Sequence, residues 1–199
     1  MKSGRNLFVG ALVALALPGC AVLGGGTPPL DTYELSAAST SEAGPRRSRA
    51  QVLIAEPSAL KSLDSVNIVI KPAAGEIQYL KGAQWADRLP KVVQARLAES
   101  FQSSGRLGGV GKPGEGLAID YQVITEIRAF EIRLDGGDRA NVELFVRILN
   151  DRNGTVRAAK TFTAQSGVSG TGNAAYAAAL DSAFRSATDE IVDWSIGRM

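Results

Sequence analysis

The chain has 199 residues, 45% of them hydrophobic, with 22 Lys and Arg against 20 Asp and Glu, one Cys and no His. Without His there is no imidazole acid–base chemistry, no His triad or Cys–His dyad, and few routes to a zinc site; a lone Cys forms neither an internal disulfide nor a cysteine metal cluster. An enzyme is therefore not expected, and a formal charge of only +2 gives no basic footprint for nucleic-acid binding.

The first nineteen residues read as a secretory signal. Lys2 and Arg5 make a positive start, and Leu7 to Leu17 follow without a charge, too short a run to span a bilayer as a helix. Both basic residues belong to this segment, so the remainder carries 20 charges of each sign. Leu17-Pro18-Gly19-Cys20 resembles the bacterial lipoprotein box, in which the Cys sulfur receives diacylglycerol, cleavage precedes the Cys, and the new amine is acylated. Pro18 stands where Ala, Ser, Thr or Val is usual. The alternative is an ordinary Cys beside a conventional cleavage site; position, flanks and uniqueness favour lipidation of Cys20. Residue 21 is Ala rather than Asp, so the inner-membrane retention signal is missing and the outer membrane is the expected location. Residues 20–31 are a Gly- and Pro-rich tether reaching at most roughly 35 Å.

The domain then runs from 32 to 199. Residues 32–37 read as a first strand and 38–49 as a polar loop broken by Gly-Pro. Two β-branched runs, 51–57 and 65–72, each end in Pro and predict strands, with a further extended piece at 76–80. Residues 85–105 predict a helix, because Leu89, Val93, Leu97 and Phe101 recur every four positions. Asp87 is the expected N-cap, Pro90 falls in the first turn, and Gly105 is the expected stop. The glycine-rich stretch 107–116 lacks the Gly-Lys-Ser/Thr ending of a phosphate loop and has a helix before it and a strand after, the reverse of what that site needs. It reads as a connector.

From 118 to 165 the period is two. Ile119, Tyr121, Val123 and Ile127 share one face, then parity switches to Phe130, Ile132 and Leu134, which predicts a bulge or bend near Ala129. Turns at Asp138 and Asp151 complete a three-stranded antiparallel meander. Alternation makes Asp120, Glu126 and Glu131 solvent-facing residues rather than an acid–base pair. Tyr176, Leu180, Phe184, Ala187, Ile191 and Trp194 predict a closing amphipathic helix. The expected fold is a two-layer α+β domain, a mainly antiparallel β-sheet covered by two amphipathic helices.

The stretch 76–90, EIQYLKGAQWADRLP, packs aromatics around a Lys-Gly turn ahead of a helix. It reads either as a corner whose aromatics plug the core or as an interface anchor, since Trp, Tyr and Arg are favoured at hot spots. Tyr79, Leu80, Trp85 and Arg88 are the candidate partner contacts, with Trp85 nearer the core and Tyr79 and Arg88 nearer a partner.

This block, with YELS upstream, DYQVITEIRAFE in the middle and EIVDW near the end, resembles the ABC-type transport auxiliary lipoprotein family, whose best-known members serve paraquat-inducible intermembrane transport. The resemblance runs from about Tyr33 to Trp194. It implies a small non-catalytic domain without cofactors beyond the acyl and diacylglycerol groups on Cys20. The implied partners are a mammalian-cell-entry domain protein, its permease and its ATPase, with phospholipid as cargo. A ring of copies capping a tunnel also fits that scheme, although no symmetry is legible in the sequence. The rival roles are assembly of an outer-membrane barrel and direct carriage of lipid.

Overall fold

The structure is a computed structural model describing residues 29–38 and 48–199. The strands are β1 (Asp31–Tyr33), β2 (Gln51–Ile54), β3 (Ser58–Ala59), β4 (Asn67–Lys71), β5 (Gln78–Trp85), β6 (Gly109–Gly111), β7 (Tyr121–Arg133), β8 (Arg139–Asn150) and β9 (Thr155–Gly167). Helix α1 (Leu89–Ser103) precedes β6, and α2 (Asn173–Ile196) closes the chain. The strands form one sheet, and the α+β two-layer reading holds.

The expected meander is its backbone: β7 pairs antiparallel with β8 along nearly its whole length, and β8 with β9. The other edge of β7 is less regular than alternation suggests. Three short strands lie along it in succession, all parallel: β2 opposite Tyr121–Val123, β3 opposite Glu126–Ile127, and β4 opposite Glu131–Arg133. Pro57, between β2 and β3, has no N–H to give a ladder. β5 returns antiparallel to β4, and β1 and β6 are parallel edge strands on β5 and β2. The sheet is thus mixed, with long antiparallel pairs and short parallel ones.

Several elements depart from expectation. The extended piece expected at 76–80 is the longer β5, and the helix expected over 85–105 begins only at Leu89, which leaves Trp85 on the strand. The glycine-rich connector contains β6, because Gly108 passes so close to β2's approach that a Cβ there would overlap the Arg49 carbonyl. Only glycine allows that approach. The first strand covers Asp31–Tyr33 rather than 32–37.

The bulge lies where parity switches. Ile127 faces Leu144 and Ala129 faces Glu143, leaving Arg128 as the extra residue. Its guanidinium lies 4.2 Å from the Phe145 ring centroid. Val123, Ile127, Phe130 and Ile132 all point into the core despite the switch. β8 contributes Ala140, Val142, Leu144, Val146 and Ile148 to the same buried layer.

Both helices cover that layer. Leu89, Val93, Leu97 and Phe101 of α1 are buried, as are Leu180, Phe184, Ala187 and Ile191 of α2. Pro90 sits in the first turn of α1 as expected, but Asp87 is not the N-cap. That position is Arg88, and the Asp87 carboxylate instead accepts the Arg88 N–H at 2.6 Å. The Leu89 N–H goes to the Ser65 carbonyl at 2.9 Å, so a neighbouring backbone does the capping. At the other end, Gly105 takes φ 62 and its N–H reaches the Gln102 carbonyl at 3.1 Å, the left-handed stop that a glycine permits.

Candidate functional site

The stretch 76–90 divides into a tip and a knot. The tip is the β4–β5 hairpin. Pro72 follows β4, the Glu76 N–H closes a turn on the Ala73 carbonyl, and Gly75 supplies φ 80. Beyond it Ile77 and Tyr79 are each 47% exposed, and Leu80 is partly buried. β5 pairs with β4 at Gln78–Tyr79 and not again until Gln84, so the segment between forms a wide bulge. Gly82 (φ 73) lies in it, and the Asn173 side chain at the start of α2 donates to the Lys81 carbonyl.

The knot is QWADRLP, where four parts of the chain meet. The Trp85 N–H donates to the Val66 carbonyl at 2.7 Å and the Ala86 N–H to the Tyr33 carbonyl at 2.8 Å. The Trp85 ring is 1% exposed and meets Phe130 edge-on at 5.7 Å, and Phe130 in turn packs on Phe184. Trp85 is therefore a core residue and not a surface contact. Its indole joins β5 to β7, and Phe130 carries the packing on to Phe184 of α2, where burial of large aromatics yields most.

Arg88 stays half-exposed but is held. Its Nε donates to Asp64 at 2.8 Å, Nη2 also contacts Asp64, and Nη1 lies 3.3 Å from Glu56. Lys91 meets the other Glu56 oxygen at 2.7 Å. The hydrogen bond to Asp64 holds the Arg88 pKa above its ordinary value. Asp64 and Glu56 flank β3, so Arg88 ties the start of α1 to the strands beside β7. Tyr79 and Arg88 thus belong to separate surfaces, the hairpin tip and the knot. Beside the knot, Glu34, Asp87, Lys91, Val92 and Arg96 line a shallow groove along α1.

Other groups have structural partners. Asp120 accepts the Gln51 N–H at 2.9 Å and an Arg152 hydrogen bond at 2.6 Å. These hold its pKa below the ordinary carboxylate value, the backbone bond being the larger cause. A lowered pKa contributes stability above the unfolded value of about 4, lost as pH falls through the folded value. Asp120→Asn is therefore expected to flatten stability against pH below about 4, measured by denaturant unfolding from pH 5 down to pH 2. Equal acid slopes for the two proteins would refute this. Glu126 is surface-paired with Arg128. Glu131 corrects the expectation: it is 2% exposed, with Lys71 at 3.3 Å.

Among the described residues, no group of three or more His, Cys, Asp or Glu is placed to hold a metal ion, and no helix is long and apolar enough to cross a membrane. Cys20, the expected signal segment and residues 39–47 of the expected loop lie outside the described residues. The exposure of Ile77 and Leu30 is not legible in the sequence, where Ile77 falls within an extended piece and Leu30 within the tether.

Comparison with known proteins agrees with this architecture. A crystal structure of protein XCC0632 from Xanthomonas campestris, of family DUF330, superposes with a TM-score of 0.76 at 30% identity, covering 84% of this chain and 95% of that one. The hypothetical protein CT253 from Chlamydia trachomatis shares the fold at 11% identity, with a TM-score of 0.54 over 75% of this chain and 97% of its own. An uncharacterized protein of Bradyrhizobium diazoefficiens, bll6063, is 31% identical over 174 residues, 87% of this chain and 47% of that protein. The chain therefore spans about half the length of that curated relative. Residues 33–192, from β1 through most of α2, match the family described as ABC-type transport auxiliary lipoprotein component, and the chain belongs to that family.

Proposed function

We propose that this chain is a non-catalytic outer-membrane lipoprotein of an ABC-driven lipid transport system, and that it docks or caps a periplasmic mammalian-cell-entry subunit. The observation that carries the reading is the family match over 33–192 behind a Leu-Pro-Gly-Cys sequence ending at Cys20. In this reading diacylglycerol and an acyl chain on Cys20 hold the domain at the membrane, since stable anchoring takes more than one chain. The ATPase and permease belong to other subunits, and phospholipid is the cargo.

The partner protein meets the knot. There the ion pairs of Arg88 present a fixed charged surface beside the α1 groove, and fixed groups lose less entropy on binding. Pull-down of tagged protein from gently solubilised membranes tests this. Recovery of a mammalian-cell-entry protein with its permease and ATPase is expected, and Arg88→Glu should reduce it while circular dichroism remains native. Recovery of an outer-membrane barrel alone would replace transport by barrel assembly.

A further inference from the structure

The hairpin tip is left over from the knot and has its own chemistry. Ile77 and Tyr79 are exposed side chains on a projecting turn, flanked by exposed Ala73 and Ala74. Leu30 is also 47% exposed. The pairing of the strands gives these residues a common end. β1 runs parallel to β5 with Asp31 opposite Ala83, so Leu30 precedes the sheet on the side from which β5 descends. That side is the hairpin tip. Leu30 lies beside the start of the described chain, and nine residues separate it from Cys20. At about 3.5 Å per residue, an anchor on Cys20 confines this end to within roughly 35 Å of the bilayer.

Charge does not oppose such an approach. The charged groups around this end are paired, Lys71 with Glu131, and Arg133 and Arg139 both with Asp135, which leaves one surplus positive charge. Lys81 flanks the tip on one side and Glu76, which accepts from Gln78, on the other. Tyr places an apolar ring in the acyl boundary and a hydroxyl among headgroups, which is why it is enriched at membrane interfaces. Small exposed apolar sets on one rigid turn give weak insertion alone and firm insertion beside an acyl anchor.

We propose that the β4–β5 hairpin is a second membrane contact, seating Ile77 and Tyr79 in the phospholipid surface to which Cys20 is anchored; the inference rests on the lipid-anchor reading. It fixes which end of the domain faces the bilayer. The β8–β9 turn and the end of α1, at the opposite end of the sheet, then face away from the membrane.

The test uses the full chain in its native membranes. A photoreactive diazirine amino acid replaces Ile77, Tyr79 or, as the control, Val156, which is 54% exposed beside the distant β8–β9 turn. All three positions are exposed, so folding is preserved, and a native melting profile checks it. After irradiation, mass spectrometry of the intact protein reads phospholipid adducts, protein adducts and the acylation of Cys20 together. Phospholipid adducts at 77 and 79 about fivefold or more above those at 156 are expected for a group held at the lipid boundary. Lipid adducts no greater than at 156, or adducts chiefly to another protein, would overturn the proposal. An unmodified Cys20 would sink the anchor reading separately, while the adduct ratio still decides the hairpin.

Discussion

Trp85→Ala is expected to lower the unfolding free energy by about 3–5 kcal/mol, the cost of deleting a large buried aromatic and leaving its cavity. The ring is buried to 1% and meets Phe130 edge-on, with Phe184 behind. The loss therefore reaches β5, β7 and α2 at once. Tyr79→Ala, six residues earlier on the same strand and 47% exposed, should change stability by only about 0.5 kcal/mol. Denaturant unfolding of the two variants separates core from surface within one sequence block. Similar losses for both would mean that the tip packs against something in solution, and a loss under about 1 kcal/mol for Trp85→Ala would contradict the burial described here. Trp85→Phe, which keeps an aromatic edge toward Phe130, should recover much of the difference.

That block also shows how far the sequence could be read. The α1 stripe, the meander, the parity switch and α2 were legible because each is a repeating pattern tied to one burial face. The β-branched runs announced β2 and β4 as strands, but not β3 or the parallel pairing of all three along β7. They are two to five residues long, too short to express a period that would say which neighbour they join. β6 was hidden for a different reason: glycines that signal a loop here permit close approach to β2. Glu131 was misread because alternation reports which face a residue points to and not whether that face is covered. The candidate contacts were found as a set of residue types, and the split into tip and knot needed the register of β4, β5 and β1. Asp87 failed as a cap for a similar reason, since a carbonyl from Ser65 was already in place.

The Arg128 bulge leads to a paired deletion whose two members should behave oppositely. Removing Arg128 leaves Ile127, Ala129 and Phe130 consecutive, so Ile127 and Phe130 still face the core and Ala129 still faces Glu143. What is lost is the extra twist of a bulge and the stack on Phe145, a cost of about 1–2 kcal/mol. Removing Thr125, which faces Val146 and is 1% exposed, has no such escape. If the first part of β7 slips, Val123 turns out of the core and the pairing with β2 is broken. If the residues up to the bulge slip instead, Glu126 and Arg128 turn inward, opposite Val146 and Leu144. Either route exchanges buried apolar groups for exposed ones or buries charges, so a loss above about 4 kcal/mol is expected. Far-ultraviolet circular dichroism and denaturant unfolding should find the Arg128 deletion folded and the Thr125 deletion largely unfolded. The reverse ranking would mean that the inward face of β7 is set by the bulge itself, with the side-chain pattern secondary.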